Sequence, residues 1–110
     1  LVHPHFGGTL PYLTNRVEVY QRQGRWTIER PIGEYLAQFY TDTVSESPGA
    51  LRMAIEAYGI QHILFASDFP YFPAGDGVRF VSQHLAPSDA REVFHGNACR
   101  LLGIESLVSA

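Results

Sequence analysis

The sequence predicts a parallel α/β fold, and three observations carry that prediction. Short apolar runs bounded by Gly, Pro or Asp alternate with longer segments of helical period. One of these runs, "HILFASDFP" from His62, is apolar until it meets a carboxylate, the pattern of a strand buried on both faces of a parallel sheet. The order strand, helix, strand, helix, strand, helices then calls for right-handed crossovers between parallel neighbours.

The first strand is "LVHPHF". "LPYLTNRVEVYQRQ" follows as a helix, with Tyr12, Leu13, Val17 and Tyr20 on one face, Pro11 in the first turn and Gly24 as the stop. A short helix starts near Pro31, and "QFYTDTV", residues 38–44, is aromatic and β-branched, hence a strand. "SESPGALRMAIEAYG" offers Ser47 as the cap, Pro48 in the first turn, Leu51, Ala54, Ile55 and Tyr58 on one face, and Gly59 as the stop. After "IQHILFASDFP" as the third strand, "GDGVRFVSQHL" and "PSDAREVFHGNACRLLGI" close the chain as two amphipathic helices.

Composition narrows the chemistry. The 110 residues carry a formal net charge of −3 and are 45% hydrophobic, as in an ordinary globular domain. No apolar run approaches the roughly 20 residues of a membrane span, and "LVHPHF" lacks the features of a signal peptide. A cytoplasmic location is the default expectation. One cysteine, Cys99, leaves no disulfide framework and no Cys-rich zinc site. All eight basic residues are arginines, which excludes a lysine Schiff base and a P-loop lysine. Without a basic cluster, neither nucleic acid nor a membrane is expected as a partner.

In parallel α/β folds ligands gather at the carboxyl ends of the strands. His5, Asp42 and Asp68 occupy such ends on three different strands. Asp68 either faces a ligand there or caps the turn by accepting backbone N–H bonds. His5, followed by Gly7 and Gly8, is either a site residue beside a close backbone approach or a buried imidazole satisfied by a carbonyl. Pro4 interrupts the alternation that would aim His3 and His5 at one metal ion. Arg16 could grip a substrate carboxylate with its planar fork or be a solvated helix residue. Asp42 could orient a neighbour or simply end its strand. His62, His84 and His95 fall at the opposite end or on helices, in surface or core roles.

The segments "HFGGTLPYLTNR", "FYTDTV", "HILFASDFPYFP" and "FHGNACRLLGI" resemble, in order and spacing, the C-terminal part of the amidohydrolase-related, metal-dependent hydrolase family. The similar branch contains aminocarboxymuconate-semialdehyde and γ-resorcylate decarboxylases. The resemblance implies a distorted TIM (β/α)8 barrel, of which residues 1–110 supply about strands 6–8 with their helices. It implies a divalent metal, usually zinc, held by an HxH pair on strand one, a histidine on strand five and an aspartate on strand eight. Asp68 matches that aspartate, as metal ligand and catalytic group. His5 matches a strand-six histidine that assists by hydrogen bonding or proton transfer, and Arg16 an arginine that binds substrate carboxylate. "HPH" therefore imitates the metal pair without being it, and the sequence departs from the pattern at Phe6 and at His3.

A closed barrel of this kind takes about 250 residues. The chain is thus expected to be part of a longer polypeptide, whose unpaired strand edges invite association with the remainder of the barrel or as a homo-oligomer. The expected activity is metal-dependent non-oxidative decarboxylation or hydrolysis of a small carboxylic acid, with the fragment alone inactive. The alternative is a non-catalytic truncated barrel acting as a binding or assembly module.

Overall fold

The computed structural model describes residues 1–104; residues 105–110, the end of the expected unit, lie outside the described residues. Three parallel strands, β1 (Val2–His3), β2 (Tyr40–Asp42) and β3 (Ile63–Leu64), form one sheet in the order β1-β2-β3. Val2 pairs with Tyr40 and His3 with Thr41, while Thr41 and Asp42 pair with Ile63 and Leu64.

These strands are shorter than the apolar runs suggested, because backbone groups are diverted to other partners. Pro4 has no N–H and ends β1. Asp42 Oδ1 takes the Val44 N–H at 3.1 Å and ends β2. Beyond β3, Phe65 N–H donates to the carbonyl of Val93 at 3.0 Å. Ala66 then meets the buried Thr43 hydroxyl, which both accepts from its N–H and donates to its C=O at 3.2 Å. The ladder thus continues through a side chain and carries residues 66–68 alongside the loop after β2. Ile63 is fully buried and residues 64–67 are half-buried among the described residues, which hold only part of the expected barrel. An apolar run records which residues seek cover, and helices cover only one face here.

The helices are α1 (Leu10–Arg22), α2 (Ile32–Leu36), α3 (Pro48–Tyr58), α4 (Ala74–His84), α5 (Pro87–Arg91) and α6 (Asn97–Leu102). In α3, Ser47 Oγ accepts the Ala50 N–H at 3.3 Å, Pro48 opens the helix, and Leu51, Ala54 and Tyr58 are buried. The stop at Gly59 has φ 81°, a conformation glycine adopts without strain. By contrast α1 buries no residue, and Tyr12 of the expected apolar face is 74% exposed. Of that face Tyr12 and Leu13 are exposed, whereas Val17 and Tyr20 are half-buried, Tyr20 with its ring against Trp26 at 5.6 Å between centroids.

The last expected helix is interrupted by a π-helical turn, Glu92–Gly96, between α5 and α6. Its Val93 carbonyl is the acceptor for Phe65 N–H, so the widened turn ties the helix to the end of β3. Asn97, fully buried, holds the other end by donating from Nδ2 to Ile60 O at 2.8 Å and Ile63 O at 2.7 Å. The core comprises Phe6, Leu36, Leu51, Ala54, Tyr58, Ile63, Phe80, Val81, Ala90 and Val93. No helix among the described residues is long and apolar enough to cross a membrane.

Tyr58 brings a hydroxyl into this core that has no hydrogen-bond partner. Burial pushes its phenol above the ordinary value, because the phenolate would lose its water. Between the ordinary value near 10 and the raised one, the unfolded chain releases a proton that the folded chain keeps. The contribution is fully present below pH ~10 and lost as pH rises above it. Tyr58→Phe is therefore expected to raise stability by about 1 kcal/mol near neutral pH, by removing an unsatisfied buried group. The gap between variant and parent should widen above pH ~10; denaturant titrations at pH 7 and 10.5 measure both effects.

Candidate functional site

The site lies where the strands end. The segment after β1 turns through four consecutive left-handed residues, with φ of 56° at His5, 54° at Phe6, 79° at Gly7 and 56° at Gly8. Each non-glycine residue in this region costs about 1–2 kcal/mol, so the turn persists because its surroundings hold it. Phe6 is buried beside Phe80, with ring centroids 6.4 Å apart. Gly7 packs against the Tyr58 hydroxyl so closely that a Cβ there would stand 1.9 Å from that oxygen. His5 N–H donates to Asp42 Oδ1 at 2.9 Å.

Among the described residues, the other non-glycine positive φ values are Glu46 at 46° and Asp68 at 58°. Strained backbone is therefore confined to the carboxyl ends of the strands, where active sites concentrate it. His5, Glu46 and Asp68 line one open cleft of about 320 Å³ with Val44, Ser45 and Phe72. In the Asp68 turn the Ser67 hydroxyl accepts the Phe69 N–H at 3.3 Å, and the Asp68 carbonyl accepts from Tyr71 at 2.9 Å. The Asp68 carboxylate is exposed and takes no hydrogen bond or ion pair among the described residues. Ser67 does the capping that the sequence offered to Asp68, which leaves that carboxylate open to a ligand.

Arg16 is not brought to this cleft. Its Nη2 donates to the Tyr20 hydroxyl at 2.8 Å and its guanidinium lies 5.3 Å from the Tyr20 ring centroid. Nor is His5 the last residue of a strand, since β1 ends at His3. His62 lies before β3 with its ring against Tyr40, centroids 4.6 Å apart. His84 Nδ1 is 2.9 Å from the Phe80 carbonyl, which can only accept, so the proton sits on Nδ1. His95, in the π turn, approaches the Cys99 sulfur at 3.5 Å.

Sequence reasoning missed Glu46. Its signal was a polar loop, "TVSES", directly after a strand ending in Asp42. Glycine at 46 would relieve about 1–2 kcal/mol of backbone strain against a chain-entropy cost of about 0.5–1 kcal/mol. Glu46→Gly is accordingly expected to raise Tm by a few degrees, as calorimetry of both proteins would show.

No group of three or more His, Cys, Asp or Glu side chains among the described residues could hold a metal ion. The chain offers an open carboxylate at Asp68 and an imidazole at His5 in one cleft, both suitable donors. They do not make up the three protein ligands of a catalytic zinc site.

A parallel sheet with helical crossovers, carrying an acid and an imidazole at one rim of its strand ends, is an arrangement that α/β barrels provide. A family model described as amidohydrolase matches residues 1–104, and the chain belongs to that family. A 6-methylsalicylic acid decarboxylase from Penicillium expansum is 33% identical over 111 residues, covering 92% of this chain and 34% of the relative. The structure of 5-carboxyvanillate decarboxylase from Sphingomonas paucimobilis superposes with a TM-score of 0.82 at 28% identity, over 94% of this chain and 33% of that one. A dihydroxybenzoic acid decarboxylase from Polaromonas, solved with bound manganese, gives 0.79 at 24% identity over 93% and 33%. The chain thus spans about a third of the length of these relatives, and its fold is a portion of an amidohydrolase-type TIM barrel.

Proposed function

We propose that the protein is a metal-dependent, non-oxidative decarboxylase of a small aromatic carboxylic acid, and that residues 1–110 form the C-terminal part of its barrel domain. The observation that carries this reading is the shared cleft of His5 and Asp68, reached from two different strand ends. Relatives named as decarboxylases of aromatic acids support the substrate class.

In this reading Asp68 is one ligand of a divalent metal, zinc by expectation, with the other ligands supplied from outside these residues. When bound, the metal supplies positive charge that anchors the anionic substrate. The bond between ring carbon and carboxylate breaks, CO2 leaves, and its electron pair stays on the ring carbon. A proton managed by His5 and Asp68 then completes that carbon. Phe72, half exposed at the cleft wall, gives the ring an apolar surface.

Arg16 is the cation for the substrate carboxylate, and must leave Tyr20 to serve it. Arg16→Ala is expected to raise KM about tenfold or more with kcat little changed, the loss of one charge-assisted contact. An unchanged KM leaves Arg16 a helix-surface residue.

The deciding experiment is an assay of the natural gene product, loaded with zinc or manganese, on 6-methylsalicylate and 5-carboxyvanillate. CO2 release matched by the decarboxylated product supports the reading. Hydrolysis products without CO2 would replace the lyase by a hydrolase, and no turnover of any carboxylic acid would favour a binding or assembly module.

A further inference from the structure

We propose that Asp42 is a positioning residue for the site, its single Oδ1 oxygen setting the placement of His5 and of the facing wall of the cleft. For its catalytic arm this rests on the decarboxylase reading above; for its structural arm it does not.

The argument starts at Pro4. Regular pairing between β1 and β2 stops at His3 and Thr41, because proline has no N–H with which to extend the ladder. His5 N–H lies past that break and would be left without a strand partner. Asp42, the last residue of β2, supplies one from its side chain, with Oδ1 2.9 Å from His5 N. The same oxygen accepts Val44 N–H at 3.1 Å. His5 and Val44 both line the cleft, so one carboxylate oxygen joins the two segments that form its walls.

The other anchors of the turn act further along. Phe6 is buried in the core and Gly7 packs against Tyr58, which fixes where the turn leads. Within the turn Gly8 N–H donates to the His5 carbonyl at 2.9 Å, but none of these contacts supplies an acceptor for the His5 N–H. His5 is exposed and in a left-handed conformation, so with its N–H released only the Gly8 bond to its carbonyl restrains residue 5 locally. Asp42 is itself only half-buried and sits in the sheet, so it is anchored by β2 while its side chain reaches the loop. Such supporting contacts, without touching the reactants, hold catalytic groups within the small tolerance that chemistry demands.

The test uses Asp42→Ala, which removes the acceptor, and Asp42→Asn, which keeps an oxygen in the same place. In Asp42→Ala we expect kcat to fall about 10- to 100-fold with KM changed less than about threefold. Asp42→Asn should restore kcat to within about threefold of the parent, since both bonds need only an accepting oxygen. Amide hydrogen exchange gives the second readout. Protection at His5 and Val44 should drop about tenfold or more in Asp42→Ala while Val81, in the core, is unchanged, and Asp42→Asn should keep it.

Unchanged kcat in Asp42→Ala, or exchange rising equally at His5, Val44 and Val81, overturns the proposal, the latter by showing general destabilisation. Loss of kcat in Asp42→Asn with protection retained overturns it too, because placement would then not be what Asp42 supplies. Should the parent protein decarboxylate nothing, the functional reading fails, while exchange at His5 and Val44 still decides whether Asp42 holds them.

Discussion

Asparagine at position 68 is expected to lower kcat by about a thousandfold, inside the range by which positioned acids and bases accelerate reactions. The substitution is informative because of the backbone it enters. Asp68 has φ 58°, a conformation that asparagine and aspartate adopt more readily than other side chains. Asp68→Asn therefore keeps the turn, the Ser67 and Tyr71 hydrogen bonds and nearly the same volume, and removes only the negative charge and the capacity to exchange a proton. Alanine there would add strain and confuse a folding loss with a chemical one. Tm should stay within a degree or two of the parent while metal content, measured by elemental analysis, and turnover both fall. Substantial turnover in Asp68→Asn rules out the proposed role.

Gly7→Ala carries the largest expected effect on stability. A methyl group at residue 7 meets the Tyr58 hydroxyl at 1.9 Å and its ring carbons at 2.7 and 2.8 Å, and both residues are buried. The left-handed φ adds about 1–2 kcal/mol and overpacking about 1–3 kcal/mol. A loss of roughly 2–5 kcal/mol would be a large share of a typical domain's total. The clash is with one side chain, so it should couple: in a Tyr58→Leu background the added cost of Gly7→Ala should shrink by about 1 kcal/mol or more. Denaturant titration of the two singles and the double measures that coupling, and strict additivity would place the cost elsewhere.

Much of the scaffold was legible in residue order. Ser47, Pro48 and Gly59 mark α3, and its buried face follows helical spacing, because caps and periodicity are local properties of the chain. The parallel order of the sheet was legible too, since crossovers of helical length between apolar runs permit little else. Strand lengths were not. They depend on whether each N–H meets a neighbouring strand or a side chain, and Asp42, Thr43 and Val93 intercept those of Val44, Ala66 and Phe65. The π turn belongs with these, since its Val93 carbonyl serves a partner 28 residues earlier.

The site divides in the same way. Residue order alone determined that His5, Asp42 and Asp68 close three apolar runs, hence that they fall at the strand ends where parallel folds bind ligands. Only the tertiary structure decided which of them share a cleft, that Glu46 joins them, that Arg16 turns to Tyr20, and that Asp42 accepts the His5 N–H. The reason is one of range. Which end of a strand a residue occupies follows from its immediate neighbours, whereas the distance between side chains 37 residues apart, as from His5 to Asp42, exists only once helices have carried their strands into register.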